Sequence, residues 1–219
     1  MNDSVWTDAD RYFESAILKD DDALRGALSE SKAAGLPAIA VSPLQGKQLY
    51  LIAKMIGAKK ILEVGTLGGY SAIWLARALP PGGKLVTLEY EQKHADVARK
   101  NLDRAGVGAL VDIHVGAAIG TLPKLASEAP FDLFFIDADK ASNPDYVAFA
   151  LKYARPGSVI IVDNVVRGGR VLDAHSDNAD IKGVRRMFAE LEKEGRVEAT
   201  VIQTVGDKGY DGYALIRVI

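Results

Sequence analysis

Lys59-Lys60-Ile61-Leu62-Glu63-Val64-Gly65-Thr66-Leu67-Gly68-Gly69-Tyr70-Ser71 is a short apolar run that breaks into glycines and resumes as Ala72-Ile73-Trp74-Leu75-Ala76. That order reads as a strand, a tight turn and a helix. Turns of this kind hold nucleotide-type cofactors. A dinucleotide turn spaces its glycines G-x-G-x-x-G and seats a pyrophosphate on the helix N-terminus, where N–H groups and the dipole favour anions. Here the glycines fall at 65, 68 and 69, and a carboxylate, Glu63, stands two residues before the first. A buried carboxylate repels a pyrophosphate and attracts a cofactor that carries an ammonium and a sulfonium. S-adenosylmethionine has both.

Outward from this turn, strand and helix patterns alternate. Strands are predicted at 60–64, 84–89, 111–115, 132–136 and 158–162, and helices at about 70–78, 91–105, 119–128 and 144–153. Phe131-Asp132-Leu133-Phe134-Phe135-Ile136 and Ser158-Val159-Ile160-Ile161-Val162 are continuously apolar enough to be buried on both faces, which implies a parallel sheet between helix layers. Past a polar loop and a helix at about 181–193, Val197–Gln203 and Tyr210–Val218 have no helix between them and predict an antiparallel hairpin at the sheet edge. On the N-terminal side, helices are predicted from Thr7 to about Ile17, from Asp20 to about Ala34, and after Ser42, which has Pro43 at the first helical position and Gln45 three residues after the cap. These helices are expected to cover the sheet or the cofactor mouth.

The totals narrow the function. A chain of 219 residues with 48% hydrophobic residues is long enough for one domain, read as an N-terminal helical cover (1–58) and a core (59–219). A formal charge of −2 gives no general attraction to nucleic acid or anionic membrane. The absence of cysteine excludes disulfides and thiolate metal sites, so any metal falls to oxygen or imidazole. The acidic start and the lack of a long apolar run predict a cytoplasmic protein with no membrane span.

In an open parallel sheet, ligands bind beyond the carboxyl ends of the strands. The second strand ends at Glu89, placed to accept hydrogen bonds from two ribose hydroxyls. The fourth ends Ile136-Asp137-Ala138-Asp139-Lys140 and the fifth Val162-Asp163-Asn164. If those two strands are neighbours, about 4.8 Å apart, then Asp137, Asp163 and Asn164 converge. Two carboxylates and an amide oxygen suit Mg²⁺, Mn²⁺ or Ca²⁺. Lys140, in the same turn, is a candidate general base.

These residues resemble the cation-dependent small-molecule O-methyltransferases, the group that includes catechol O-methyltransferase and the plant caffeoyl-CoA O-methyltransferases. The likeness runs from about Ala40 to Arg217 and is carried by Leu62–Ser71, Val115-Gly116-Ala117-Ala118, Phe135–Lys140 and Val162-Asp163-Asn164-Val165. It implies a Rossmann-like class I methyltransferase fold: a seven-stranded, mostly parallel sheet with a C-terminal antiparallel hairpin and helices on both faces. It further implies that Asp137, Asp163 and Asn164 hold the metal, that Lys140 is the base, and that Val41, Glu63, Gly65, Thr66, Ser71, Glu89, Ala118 and Asp139 line the methyl-donor site. A phenolic vicinal-diol substrate and a homodimer meeting through the first two helices are implied as well. At Gly168 the chain departs from the plant enzymes, which carry asparagine four residues after the metal amide.

Two rival readings come from other classes. Arg167, Arg170, Lys182, Arg185 and Arg186 form a candidate basic face for methylating a hydroxylated uridine in transfer RNA, and a non-catalytic donor-binding module is the second. His94, His114 and His175 lack the spacing of a zinc site or nucleophilic triad and read as surface or packing residues. The 167–180 loop is a candidate substrate lid, and Asp211-Gly212 a candidate turn or bulge near the acceptor pocket.

Overall fold

The computed structural model describes residues 3–219. Its seven strands are β1 (Lys60–Val64), β2 (Lys84–Glu89), β3 (Val111–Val115), β4 (Phe131–Ile136), β5 (Ala154–Val162), β6 (Val197–Thr204) and β7 (Asp211–Val218). They form one sheet in the order β3-β2-β1-β4-β5-β7-β6. The first five are parallel; β7 runs antiparallel to β5 and β6. The predicted Rossmann-like sheet with its C-terminal hairpin is therefore present. No helix among the described residues is long and apolar enough to cross a membrane.

Side chains alternate across a strand, so each central strand feeds two cores. Ile61, Leu85, Leu133, Phe135 and Ile161 face one layer, where they meet α3 (Pro43–Met55) and α4 (Tyr70–Ala78). Leu62, Val86, Phe134, Ile160 and Val162 face the other, against α7 (Asn143–Tyr153) and α8 (Ala179–Leu191). Burying each such side chain is worth about 1.5–3 kcal/mol. That anchoring on both faces makes the register of the strand ends rigid, and the strand ends carry the polar residues.

Several boundaries differ from expectation. The first helix, α1, spans Asp3–Ile17, and α2 spans Asp22–Ala33 because the Asp21 side chain caps it, accepting from the N–H groups of Ala23 and Leu24. α5 (Gln92–Arg104) follows β2 as predicted. The helix predicted at 119–128 is instead a four-residue α6 (Ala118–Thr121) followed by a 3-10 segment, Leu122–Glu128. Pro123 accounts for this, since its ring displaces the carbonyl four residues back and it has no N–H to donate. β5 starts at Ala154, four residues early, after a register irregularity opposite Phe131 and Leu133. Asp211-Gly212 is neither a turn nor a bulge. It opens β7, with Asp211 Oδ1 accepting from the N–H groups of Val166, Arg167 and Gly212.

Candidate active site

β4 and β5 are direct neighbours, with Ile136 opposite Val162, so the next residues of each chain segment, Asp137 and Asp163, leave the sheet side by side. Their backbones are pinned in step: Asp137 N–H donates to Val64 O at 2.8 Å and Asp163 N–H to Ile136 O at 3.0 Å. Beyond them the chain turns sharply, with Asn164 at φ 56°, a left-handed conformation that asparagine tolerates better than most residues. Asp163 is buried. Its Oδ1 accepts from Asn164 N–H at 2.8 Å and its Oδ2 from Gln45 Nε2 at 2.6 Å. Burial first, and repulsion from Asp137 second, push its carboxyl up to about 7. Lys140 is also buried, and its Nζ donates to Asp137 Oδ1 at 2.7 Å. α8 presses on this turn so closely that a Cβ on Gly183 would lie 2.3 Å from Lys140 O.

The glycine turn lies one strand away. Gly65 has φ 105°, and a Cβ there would fall 2.5 Å from the carbonyl oxygen of Asp137. Only glycine permits both the dihedral and the approach. Glu63 is fully buried; Ser71 Oγ and Thr87 Oγ1 each donate to one of its oxygens at 2.6 Å. Burial outweighs these bonds and raises its carboxyl to about 7. Glu89, at the end of β2, accepts from Leu67 N–H at 2.7 Å and Glu91 N–H at 3.0 Å, and His94 Nδ1 stands 3.3 Å from it.

These ends open into a cavity of about 1260 Å³. Of the residues expected at the donor site, Val41, Gly65, Thr66, Ser71, Glu89, Ala118 and Asp139 line it, as do Asp137, Lys140 and Asn164. Glu63 and Asp163 do not: both stand behind the wall, Glu63 screened by Ser71 and Thr87, Asp163 held by Gln45. Glu63, expected to line the donor site, here has both oxygens accepting from hydroxyls, and its neighbours Thr66 and Ser71 are the ones that face the cavity. Asp139 accepts from Tyr146 Oη at 2.5 Å and Ser142 N–H at 3.1 Å. Burial works against it, yet those donors hold its carboxyl below the usual range. From the N-terminal cover, Asp10 and Glu14 of α1 and Ser31 of α2 reach the cavity.

Three residues at the site carry no clear signal in the sequence. Gln45 reads there only as a cap partner. Its N–H does donate to Ser42 Oγ at 3.2 Å, but its side chain turns to Asp163 instead of closing a capping box. His94, which the sequence presents as a surface or packing residue, lines the cavity beside Glu89; its place five residues after that strand end is the available signal. Tyr146, within the first turn of α7, had no signal beyond its proximity to Asp139.

The donor chemistry at the acidic end is all oxygen. Among the described residues no three His, Cys, Asp or Glu side chains group to hold a metal; the set here is two carboxylates and one amide. Its fit to a hard cation rests on that donor chemistry: two carboxylates and an amide in adjoining turns, with Asp137 held by Lys140 and Asp163 by Gln45. The cavity is also larger than the roughly 300–1,000 Å³ of common ligand pockets, so a donor and an acceptor can share it.

A family model described as O-methyltransferase matches residues 14–219. The chain belongs to the O-methyltransferase family. This O-methyltransferase is 54% identical over 211 residues to a catechol O-methyltransferase of Mycobacterium tuberculosis, covering 96% of this chain and 95% of that protein. It is 50% identical over 220 residues to a catechol O-methyltransferase of Niastella koreensis, end to end in both. In three dimensions it superposes on an O-methyltransferase from Bacillus cereus, solved in complex with SAH, with a TM-score of 0.98 at 48% identity and full coverage of both chains.

Proposed function

We propose that this O-methyltransferase moves the methyl group of S-adenosylmethionine to one oxygen of a small vicinal-diol phenol of catechol, caffeoyl or flavonoid type, with a divalent cation, Mg²⁺ before Mn²⁺ or Ca²⁺, as cofactor. One observation carries the reading: Asp137 and Asp163 leave adjacent strands in register, with Asn164 and Lys140 in the same turns; Asp137, Lys140 and Asn164 line the cavity that Glu89 also lines, and Asp163 stands directly behind them. The relatives named catechol O-methyltransferase and the neighbour complexed with SAH support it.

S-adenosylmethionine supplies a methyl already activated on sulfonium. Bound by Asp137, Asp163 and Asn164, a divalent cation supplies Lewis acidity toward a phenolic oxygen. The protein contributes placement and a proton acceptor. Glu89, fixed by two backbone N–H groups, presents its carboxylate to ribose hydroxyls, while Val41, Gly65, Thr66, Ser71, Ala118 and Asp139 wall the donor. Glu63 acts from behind, setting the Ser71 hydroxyl. Lys140 takes the acceptor's proton at Nζ, which requires the amine to enter the step neutral; a neutral amine can still donate one N–H to Asp137. Orientation of donor and acceptor contributes up to about 7–11 kcal/mol.

The same proposal covers assembly: one domain, 1–58 covering a core of 59–219, in a cytoplasmic homodimer. Exposed Tyr12, Phe13 and Ile17 on α1 support contact through the first helices. Of the basic residues in the transfer-RNA reading, Arg167, Lys182 and Arg186 pair with Asp180 at 3.1 Å, Asp177 at 3.0 Å and Glu190 at 2.9 Å, while Arg170 and Arg185 donate to the carbonyls of Arg167 and Val171. The test is turnover of catechols, hydroxycinnamoyl-CoA esters, flavonoids and transfer RNA, each with and without EDTA. Catechol methylation abolished by EDTA and restored by Mg²⁺ is the expected result; EDTA-resistant turnover overturns the cation role.

A further inference from the structure

We propose that Asp211, the first residue of β7, is a positioning residue for the cation site: it fixes the turn that carries Asn164 and so sets where that amide stands beside Asp163. The inference rests on the cation reading above and adds to it a residue that does not itself line the cavity.

The ladder between β5 and β7 ends with Val162 opposite Ala214, one residue before Asp163 and two before Asn164. Past that point the turn must find other partners, since main-chain N–H groups away from water are nearly always paired. The start of β7 supplies them. Val165 N–H donates to Gly212 O at 2.9 Å, and one carboxylate oxygen, Asp211 Oδ1, accepts from Val166 N–H at 3.0 Å and Arg167 N–H at 2.8 Å. The same oxygen takes Gly212 N–H at 3.0 Å, which holds the side chain itself in place. Val165 and Val166 are buried, so solvent is a poor substitute for that acceptor.

This turn has to be held. Asn164 and Arg167, at its two ends, both have left-handed backbones, with φ 56° and 57°. Non-glycine residues enter that region at a cost and keep it where their surroundings impose it. Asn164 lines the cavity, and its N–H donates to Asp163 Oδ1 at 2.8 Å. A relaxed turn would therefore carry the amide away from the carboxylate beside it. The clamp is also close-fitting: a Cβ on Gly212 would lie 2.8 Å from Val166 Cγ2 and 2.5 Å from Ile202 O, so β7 meets the turn with only main chain at that position. Asp211 and Gly212 thus act as a pair, one gripping the turn and the other letting the grip come near.

The experiment titrates Mn²⁺ into the SAH-bound enzyme by calorimetry, after the SAH affinity of each variant has shown that its donor site is folded. Asp211→Ala is expected to weaken Mn²⁺ binding about ten- to hundredfold, the range seen for partners that orient metal ligands, with SAH affinity unchanged. Asp211→Asn keeps an oxygen acceptor in the same place and is expected to restore most of the lost affinity. Asp211→Glu keeps the charge but carries the acceptor one methylene further, and is expected to fall between Asp211→Ala and the wild type; it decides the question if Asp211→Ala fails to bind SAH. Mn²⁺ affinity at the wild-type level in both Asp211→Ala and Asp211→Glu assigns Asp211 to stability alone and overturns the inference, leaving the cation reading standing. A loss in Asp211→Asn as large as in Asp211→Ala also overturns it, because charge and not the acceptor's place would then govern. A wild type that binds no Mn²⁺ overturns both.

Discussion

Two buried aspartates at opposite ends of the sheet behave in opposite ways. Asp132, near the start of β4, has every need met: Lys59 and Lys60 N–H donate to Oδ2 at 2.8 and 3.0 Å, and Arg155 Nε donates to Oδ1 at 2.8 Å. Burial opposes its charge, but these donors win and hold its carboxyl below the usual range. Asp163, at the end of β5, has one backbone N–H, one amide and a like-charged neighbour, and is driven the other way. One end of the sheet satisfies its charge and the other withholds satisfaction. That withheld end is where a ligand can repay the debt, so the contrast separates a carboxylate kept for architecture from one kept for chemistry.

The largest expected effect breaks the contrast from the chemical side. Lys140→Met and Asp163→Ala each lower kcat/KM on catechol by about 10²–10⁴, the range a positioned proton acceptor contributes, with the far-UV spectrum retained. A loss under tenfold in both would remove the chemical end from the mechanism. Asp132→Ala attacks the architectural end. Urea unfolding should show a loss of about 1–3 kcal/mol, because two backbone N–H groups and Arg155 lose their acceptor, while activity per folded molecule stays near wild type.

Gln45→Leu sharpens the comparison by removing the one side-chain donor that Asp163 has. Since outer partners of a ligand typically matter by about 10–100-fold, Mn²⁺ affinity measured by titration calorimetry should fall about tenfold; unchanged affinity would make Gln45 a helix-cap residue only.

The smallest effect is in pH, and the two carboxylates give it opposite signs. For Asp132 the folded value lies below the ordinary 3.8, so its stabilisation is present above that pH and is lost as pH falls through the folded value. For Asp163 the folded value is raised from 3.8 to about 7, so the folded state holds the extra proton and stability falls as pH climbs between those values. In EDTA, Asp163→Asn should therefore raise Tm at pH 8 by about 3 °C, equivalent to ~1 kcal/mol in a chain of this length, and by less at pH 5. An equal gain at both would show that Asp163 is not the strained group.

Much of this was legible in the residues themselves. The apolar runs of β4 and β5 announce burial on both faces, and the acids and amide that end them are exposed by their very position after a run that cannot take charge. The lack of a helix between 197–204 and 211–218 gives the hairpin. What stayed hidden depends on contacts between distant segments. Gln45 and Asp163 are 118 residues apart, and nothing local distinguishes an N3 glutamine that closes a capping box from one that turns away. Glu63 looked like a ligand contact because its distance from the glycines is right, but whether Ser71 and Thr87 stand between it and the cavity depends on how α4 docks on β2. Pro123 was a local signal sufficient to break the helix predicted at 119–128.

The approach of Gly65 to the Asp137 carbonyl has a consequence for retuning this scaffold. The loop that would cradle the donor and the strand end that would receive the acceptor are in backbone contact, so a methyl group at position 65 would shove both at once. Redesign of acceptor preference must therefore start from the far rim, where side chains and not main chain set the shape; altered donor chemistry would require moving two strands together.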